Sequence, residues 1–294
     1  MTPRIALSCV FLALVGGLYA EVPPTQASET AESVAESIVQ PVGTPLIYKQ
    51  AKGQALHLYV VKPAGWKPED RRPAIVFFHG GGWTHGAPSS FNRFADYFSG
   101  RGMVSVLVEY RLVARKGRES PAVCIQDAKS AMRWVRSHAK NLGVDADRLA
   151  ASGSSAGGHL AAFVGMMRGF DDPEDNLSVS CRPQAMLLIG PVIDNGPQGY
   201  AHGRVKPDYK AFSPYHNVKA DAPPVLILSG EADTVVSVEM IRDFKKQMEA
   251  AGVRCELHTY PEQKHGFAAQ GRYHREALGR MDSFLVSLGW LAAP

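Results

Sequence analysis

The sequence predicts an α/β domain, with a mostly parallel central sheet, helices on both faces and no large cap. Three observations predict it. Short, nearly continuous apolar runs recur along the chain, segments with helical spacing lie between them, and small-residue turns follow several of the runs. Continuous apolar runs mark strands covered on both faces, as parallel strands are when helices pack above and below them.

In chain order, "LIYKQ" and "ALHLYVVKP" read as an opening pair of strands around a turn at Lys52-Gly53. "AIVFF" (74–78), "VSVLV" (104–108), "LAAS" (149–152), "AMLLIG" (185–190) and "VLILS" (225–229) read as buried strands, and "CELHTYP" (255–261) as the last. The clearest helix starts at Ser120-Pro121, because proline suits the first helical position. Ile125, Ala128, Met132 and Val135 then recur at helical spacing. Ser237 to Ala251 is a second helix, stopped by Gly252. Further helices fall at 159–167 and 273–288. Repeated strand–helix units predict right-handed crossovers within one domain, residues 46–294.

Residues 1–20 stand apart. Arg4, the apolar run Ile5 to Val15 and small residues ending at Ala20 have the layout of a secretory signal. The run is short for a membrane span. An uncleaved anchor is the alternative. Residues 21–45 hold four Glu and no Lys or Arg, and read as a polar linker. The expected location is therefore secreted or periplasmic, with no stable membrane association once the signal is cleaved.

Lys and Arg number 32 against 28 Asp and Glu, and from Leu46 onward the excess is +7. A mild basic bias suits acidic polymers, or simply solubility. No nucleic-acid motif accompanies it. Past the signal the cysteines are Cys124, Cys181 and Cys255, with no C-x-x-C spacing. They make one bridge or serve as three small buried hydrophobes.

In open α/β sheets, sites lie at the carboxyl ends of strands, and three such loops carry candidate chemistry. Gly153-Ser154-Ser155-Ala156-Gly157 is a G-x-S-x-G between a strand and a helix, the context of a nucleophile elbow. A Gly/Ser helix cap is the plain alternative. "HGGGW" (79–83) exposes backbone N–H groups, which ester cleavage needs for a developing oxyanion. Gly81 and Gly82, with Ala156, are the candidate donors. A flexible loop or phosphate cradle is the alternative, without the G-x4-G-K-[ST] spacing a cradle would have. "GEADTVV" and "KHGF" bring Asp233 and His265 to two further strand ends. The chain order Ser155, Asp233, His265 is that of lipase and esterase triads. Asp194 in "PVIDNG" ends another strand and competes with Asp233.

With "HGGGW", "EYRL", "DAKSAMRWV", "GSSAGGHLAA", "GEADTVV" and "KHGF", the chain resembles the α/β-hydrolase superfamily from Leu46 to its end. It is similar to the hormone-sensitive-lipase-like and carbohydrate-esterase-like groups. The resemblance implies an α/β-hydrolase fold, with Ser155 as nucleophile, His265 as base, Asp233 as acid, and Gly81, Gly82 and Ala156 as oxyanion hole. It implies short acyl esters as substrates, small or polysaccharide-linked, such as acetyl or feruloyl groups of plant polysaccharide, with no metal or cofactor. An arylformamidase or amidase on the same triad is the alternative, and a non-catalytic binding protein of the same fold is another. Lipase-like members carry a helical cap at the N-terminus. Here that segment is the polar 21–45, which argues against long-chain lipid.

Arg111 and Asp127 read as a structural ion pair behind the oxyanion loop. His79 and His85 flank that loop with no third ligand for a metal, and His159 reads as packing. The irregular stretch 194–217 carries Tyr200, Tyr209, Phe212 and Tyr215. It walls the leaving-group side or is a surface loop pinned by its aromatics. Trp83, Tyr200 and Tyr209 are the candidate substrate-binding residues.

Overall fold

The computed structural model describes residues 39–51 and 53–293. The expected signal at 1–20, most of the expected linker and Lys52 of the expected turn lie outside them. Among the described residues eight strands form one sheet: β1 (Thr44–Ala51), β2 (Gln54–Val61), β3 (Arg72–Phe78), β4 (Val104–Val108), β5 (Val144–Ser154), β6 (Ala185–Ile189), β7 (Val225–Gly230) and β8 (Cys255–Tyr260). Their order across the sheet is β1-β2-β4-β3-β5-β6-β7-β8. Only the first two neighbour pairs are antiparallel; the rest are parallel.

The helices are α1 (Asn92–Gly100), α2 (Ala122–Ser137), α3 (Ala156–Met166), the short α4 (His202–Val205), α5 (Val238–Ala250) and α6 (Gly271–Ser287). They cover both faces. On one face Phe94 and Phe98 of α1 and Met281 and Phe284 of α6 pack against Ile75, Phe77 and Leu226. On the other, Ile125 and Met132 of α2, Leu160 of α3 and Phe244 of α5 pack against Val76, Phe78 and Ile227. Alternate residues of one strand therefore feed both cores, which is why "AIVFF" is apolar throughout. Helix α2 starts one residue later than expected, with Pro121 at the cap position. At α5 the Ser237 hydroxyl accepts the Met240 amide at 3.4 Å.

The expected linker boundary at residue 45 shifts. Strand β1 starts at Thr44, and the preceding residues are held by α1. Val42 donates its amide to Asn92 Oδ1 at 3.0 Å, and Asn92 Nδ2 donates to Gln40 O at 2.8 Å. Among the described residues Cys124, Cys181 and Cys255 are free and buried, so the expectation of a bridge gives way to the packing role. Burial pushes the Cys124 and Cys255 thiols up to about 12. Among the described residues, no helix is long and apolar enough to cross a membrane.

Candidate active site

Strand β5 ends at Ser154 and α3 begins at Ala156, leaving Ser155 alone on the turn. Its backbone is at φ 55°, ψ −120°. A non-glycine residue there stores about 1–3 kcal/mol of strain, which its surroundings must sustain. The Ser155 amide donates to Ile189 O at 3.0 Å, and its carbonyl accepts from His159 N at 3.0 Å and Val192 N at 3.1 Å. The small residues around it are required by contact. A Cβ on Gly157 would lie 1.9 Å from Phe78 O, so only glycine lets α3 start against the end of β3.

The loops after β7 and β8 bring two more side chains to this turn. Ser155 Oγ donates to His265 Nε2 at 2.8 Å, and His265 Nδ1 donates to Asp233 Oδ2 at 2.7 Å. The Asp233 side chain is 1% exposed. Its other oxygen accepts the amides of Val235 at 2.8 Å and Val236 at 3.0 Å. The carboxylate is thus fixed by the backbone of its own turn, and the imidazole by the carboxylate. Asp194, the competing acid, is occupied elsewhere. Its Oδ1 accepts the Gly196 amide at 2.7 Å and the Ser213 hydroxyl at 3.3 Å, and lies 3.4 Å from His216 Nδ1. It organises the start of the 194–217 loop.

The glycine loop follows β3. Gly81 has φ 112°, and a Cβ there would stand 2.0 Å from His85 O. Gly81 O accepts the amides of Thr84 at 3.0 Å and His85 at 3.2 Å, which curls the loop. A Cβ on Gly80 would lie 3.5 Å from Ser155 Cβ, so the loop passes beside the serine. The amides of Gly81, Gly82 and Ala156 donate to no protein acceptor among the described residues. His79 anchors the loop from below. Its carbonyl accepts the Tyr110 hydroxyl at 2.7 Å, the two rings stack at 4.2 Å, and burial pushes the imidazole down to about 4. His85 is exposed. No group of His, Cys, Asp and Glu among the described residues is arranged to hold a metal. Arg111 and Asp127 form the expected pair, Nε to Oδ2 at 2.8 Å and Nη2 to Oδ1 at 2.7 Å.

A cavity of about 300 Å³ opens beside the serine turn, lined by Gly81, Ser154, Ile189, Ala268, Phe91 and Phe94, with His85, Ser90 and Ala269 at its exposed rim. Phe91 and Phe94 were not among the candidates read from the sequence. Their signal is the spacing Phe91, Phe94, Ala95, Phe98, one buried stripe of α1 and its preceding turn.

The three candidate aromatics separate. Trp83 is corrected: it is fully buried, with its ring 5.0 Å from His159 and edge-on to it. Its backbone has a φ of 63°. Tyr200 is half-buried, 5.6 Å from Trp83 centre to centre, and its hydroxyl lies 2.8 Å from where a Gly82 Cβ would stand. It remains beside the glycine loop. Tyr209 packs edge-on to His202 and His216 within its own loop. Phe212 O accepts from His159 Nε2 at 2.8 Å, and Tyr215 donates to Asp243 Oδ2 at 2.6 Å. Three of the four loop aromatics therefore pin the segment, and Tyr200 alone adjoins the glycine loop.

The mostly parallel sheet with helices on both faces is that of an α/β-hydrolase fold, and comparisons with known proteins agree. The family model BD-FAE matches residues 58–197, and that of the prolyl oligopeptidase family matches residues 194–289. The solved structure of Thermogutta terrifontis esterase 2 superposes with a TM-score of 0.82 at 43% identity, covering 86% of this chain and 97% of that one. Carboxylesterase NlhH of Mycobacterium tuberculosis is 29% identical over 69% of each chain. Ethyl acetate hydrolase of Pseudomonas putida is 28% identical over 76% of this chain and 75% of its own. The chain spans about half the length of several other curated relatives it matches. It belongs to the esterases of the α/β-hydrolase superfamily.

Proposed function

We propose that the protein is a serine carboxylesterase acting on short-chain acyl esters. Ser155 is the nucleophile, His265 the general base, Asp233 the acid behind it, and the amides of Gly81, Gly82 and Ala156 the oxyanion donors. The observation that carries this is the 2.8 Å hydrogen bond from Ser155 Oγ to His265 Nε2 at a strained strand–helix turn. A serine hydroxyl is a weak nucleophile at neutral pH, so a positioned base must take its proton. The imidazolium that forms needs a counter-charge and a fixed tautomer, which a carboxylate on Nδ1 supplies. Charge that develops on the carbonyl oxygen meets amides with no other acceptor. Water then repeats the attack on the acyl-enzyme, with His265 again as base.

Two names among the relatives support a short acyl group: ethyl acetate hydrolase, and esterase 2 of T. terrifontis, solved with propionate and with butyrate bound. An acetyl or feruloyl group on plant polysaccharide suits the secretory layout of residues 1–20. The prolyl oligopeptidase match covers the part of the chain that holds Asp233 and His265, so it does not choose between ester and amide.

The test is a panel of p-nitrophenyl esters, acetylated and feruloylated xylan, an arylformamide and a peptide anilide. Esters should be cleaved and the anilide should not. Ser155→Ala should lose turnover on the order of 10⁶-fold while keeping its fold. An active Ser155→Ala with a dead Ser154→Ala would move the nucleophile. Formamide cleavage above ester cleavage would change the reaction class.

A further inference from the structure

Two short segments hold most of the excess positive charge. Arg115, Lys116 and Arg118 stand on one, and Arg204, Lys206 and Lys210 on the other, against only Glu119 and Asp208. This excess of four is more than half of the +7 carried from Leu46 onward, so the basic bias is local rather than spread for solubility. The fold sets the two segments side by side. Arg204 donates from Nη2 to Arg115 O at 3.1 Å and from Nη1 to Glu119 O at 3.5 Å. An open groove of about 370 Å³ runs between them, lined by Gly117, Arg118, Ala201, Gly203, Arg204 and Lys206.

Every charged side chain on those walls is a cation. Among the described residues none of the three has a carboxylate partner. Glu119 is turned to the Ala114 amide, at 3.3 Å. Like charges gathered without counter-charge repel one another, and an anion in the groove relieves that repulsion.

Both walls hang from the oxyanion loop. Val113 donates its amide to Trp83 O at 2.9 Å, just before the first segment. Ala201 follows Tyr200, whose hydroxyl adjoins Gly82. The groove shares no residue with the apolar cavity lined by Phe91 and Phe94, which suits an acyl group. The groove is therefore not taken up by the acyl group.

We propose that this groove is a subsite for a carboxylate-bearing sugar in the alcohol portion of the substrate, as in an acetylated polysaccharide with uronate units. The proposal rests on the ester-hydrolase reading above. Cations on flexible stems around an open groove match carboxylates spaced along a sugar chain. A nucleic acid would ask for free aromatic faces among the cations, and the neighbouring Tyr209 ring is already packed against His202 and His216.

The experiment compares an acetylated glucuronoxylan oligosaccharide with its carboxyl-reduced counterpart, on the wild type and on an Arg118→Glu/Lys206→Glu variant. The wild type should show a KM about five- to tenfold lower for the acidic substrate, the scale expected of two exposed ion pairs. That advantage should shrink as NaCl rises through 0.5 M and screens the charges. The double variant should lose it while its kcat/KM on p-nitrophenyl acetate stays unchanged. Equal KM for the two substrates, or a variant that weakens both alike, overturns the subsite. Displacement of the acidic oligosaccharide by single-stranded DNA but not by oligouronate also overturns it. If the wild type cleaves no ester, the ester reading fails by itself, and calorimetric binding of the acidic and reduced oligosaccharides still decides the groove.

Discussion

The Arg111 guanidinium closes on the fully buried Asp127 carboxylate with two hydrogen bonds, and Lys49 Nζ reaches the same carboxylate at 2.8 Å. Lys49 also meets Asp172, at 2.6 Å. One acid inside the fold thus answers two cations. Arg111 follows Tyr110, whose hydroxyl holds the His79 carbonyl at the root of the glycine loop. Removing the carboxylate strands Arg111 in a buried site and leaves Lys49 to Asp172 alone. Asp127→Ala should lower stability by about 3–5 kcal/mol, measured by urea unfolding. A loss under about 1 kcal/mol would mean that water reaches and solvates the cluster.

The acid role can be ranked by two substitutions. Asp233→Asn replaces the acceptor on His265 Nδ1 by an amide that stabilises the wrong tautomer. Turnover should fall on the order of 10⁴-fold. Asp194→Asn keeps an oxygen for the Gly196 amide and should cost less than about tenfold. Steady-state kinetics on p-nitrophenyl acetate checks both, and the reverse order would hand the role to Asp194.

Acyl length reads out the cavity beside Ser155. Its inner wall is apolar and buried, while His85, Ser90 and Ala269 at the rim are exposed. The first methylenes of an acyl chain leave water there, at about 0.8 kcal/mol each, so butyrate should exceed acetate by about 15-fold in kcat/KM. Later methylenes emerge past the rim and gain nothing, so efficiency should fall by about eight carbons. Ala269→Phe narrows the mouth and should erase the butyrate advantage while sparing acetate. An octanoate maximum in the wild type would contradict the open rim.

Acid should destabilise the fold through two histidines. Burial pushes His79 and His159 down to about 4, whereas an unfolded histidine titrates near 6.5. Below about pH 6.5 the unfolded chain takes up protons that the folded one refuses. Their stabilisation is complete above that pH, falls as the pH drops toward 4, and amounts to about 3 kcal/mol per residue at most. Tm should be level from pH 7 to 8 and decline between 6.5 and 4. His159→Gln should flatten that decline, and an unchanged slope would assign it to other groups.

The parallel strands were legible because helices cover both faces of the sheet, which makes every position of "AIVFF" or "VLILS" apolar. Ser155, Asp233 and His265 were legible as candidates because each lies in a loop directly after a strand. What Trp83 faces was not. An aromatic after three glycines reads the same whether it turns inward or outward, and its positive φ is a property of the folded loop. The cavity wall was missed for another reason. Phe94 reaches the site from α1 and Phe91 from the turn before it, and local spacing says nothing of what such a face meets. How the chain enters β1 was not legible either, because Asn92, fifty residues on, holds Val42 and Gln40 by one hydrogen bond each.

Cys124, Cys181 and Cys255 give the molecule three built-in clocks. Each thiol is buried, on α2, just before β6 and at the start of β8 respectively, so a labelling reagent reaches it only when that region opens. The rate at which each is modified then measures the opening of its own part of the sheet. Equal rates at all three would report a single cooperative event, and unequal ones would reveal which side of the sheet lets go first.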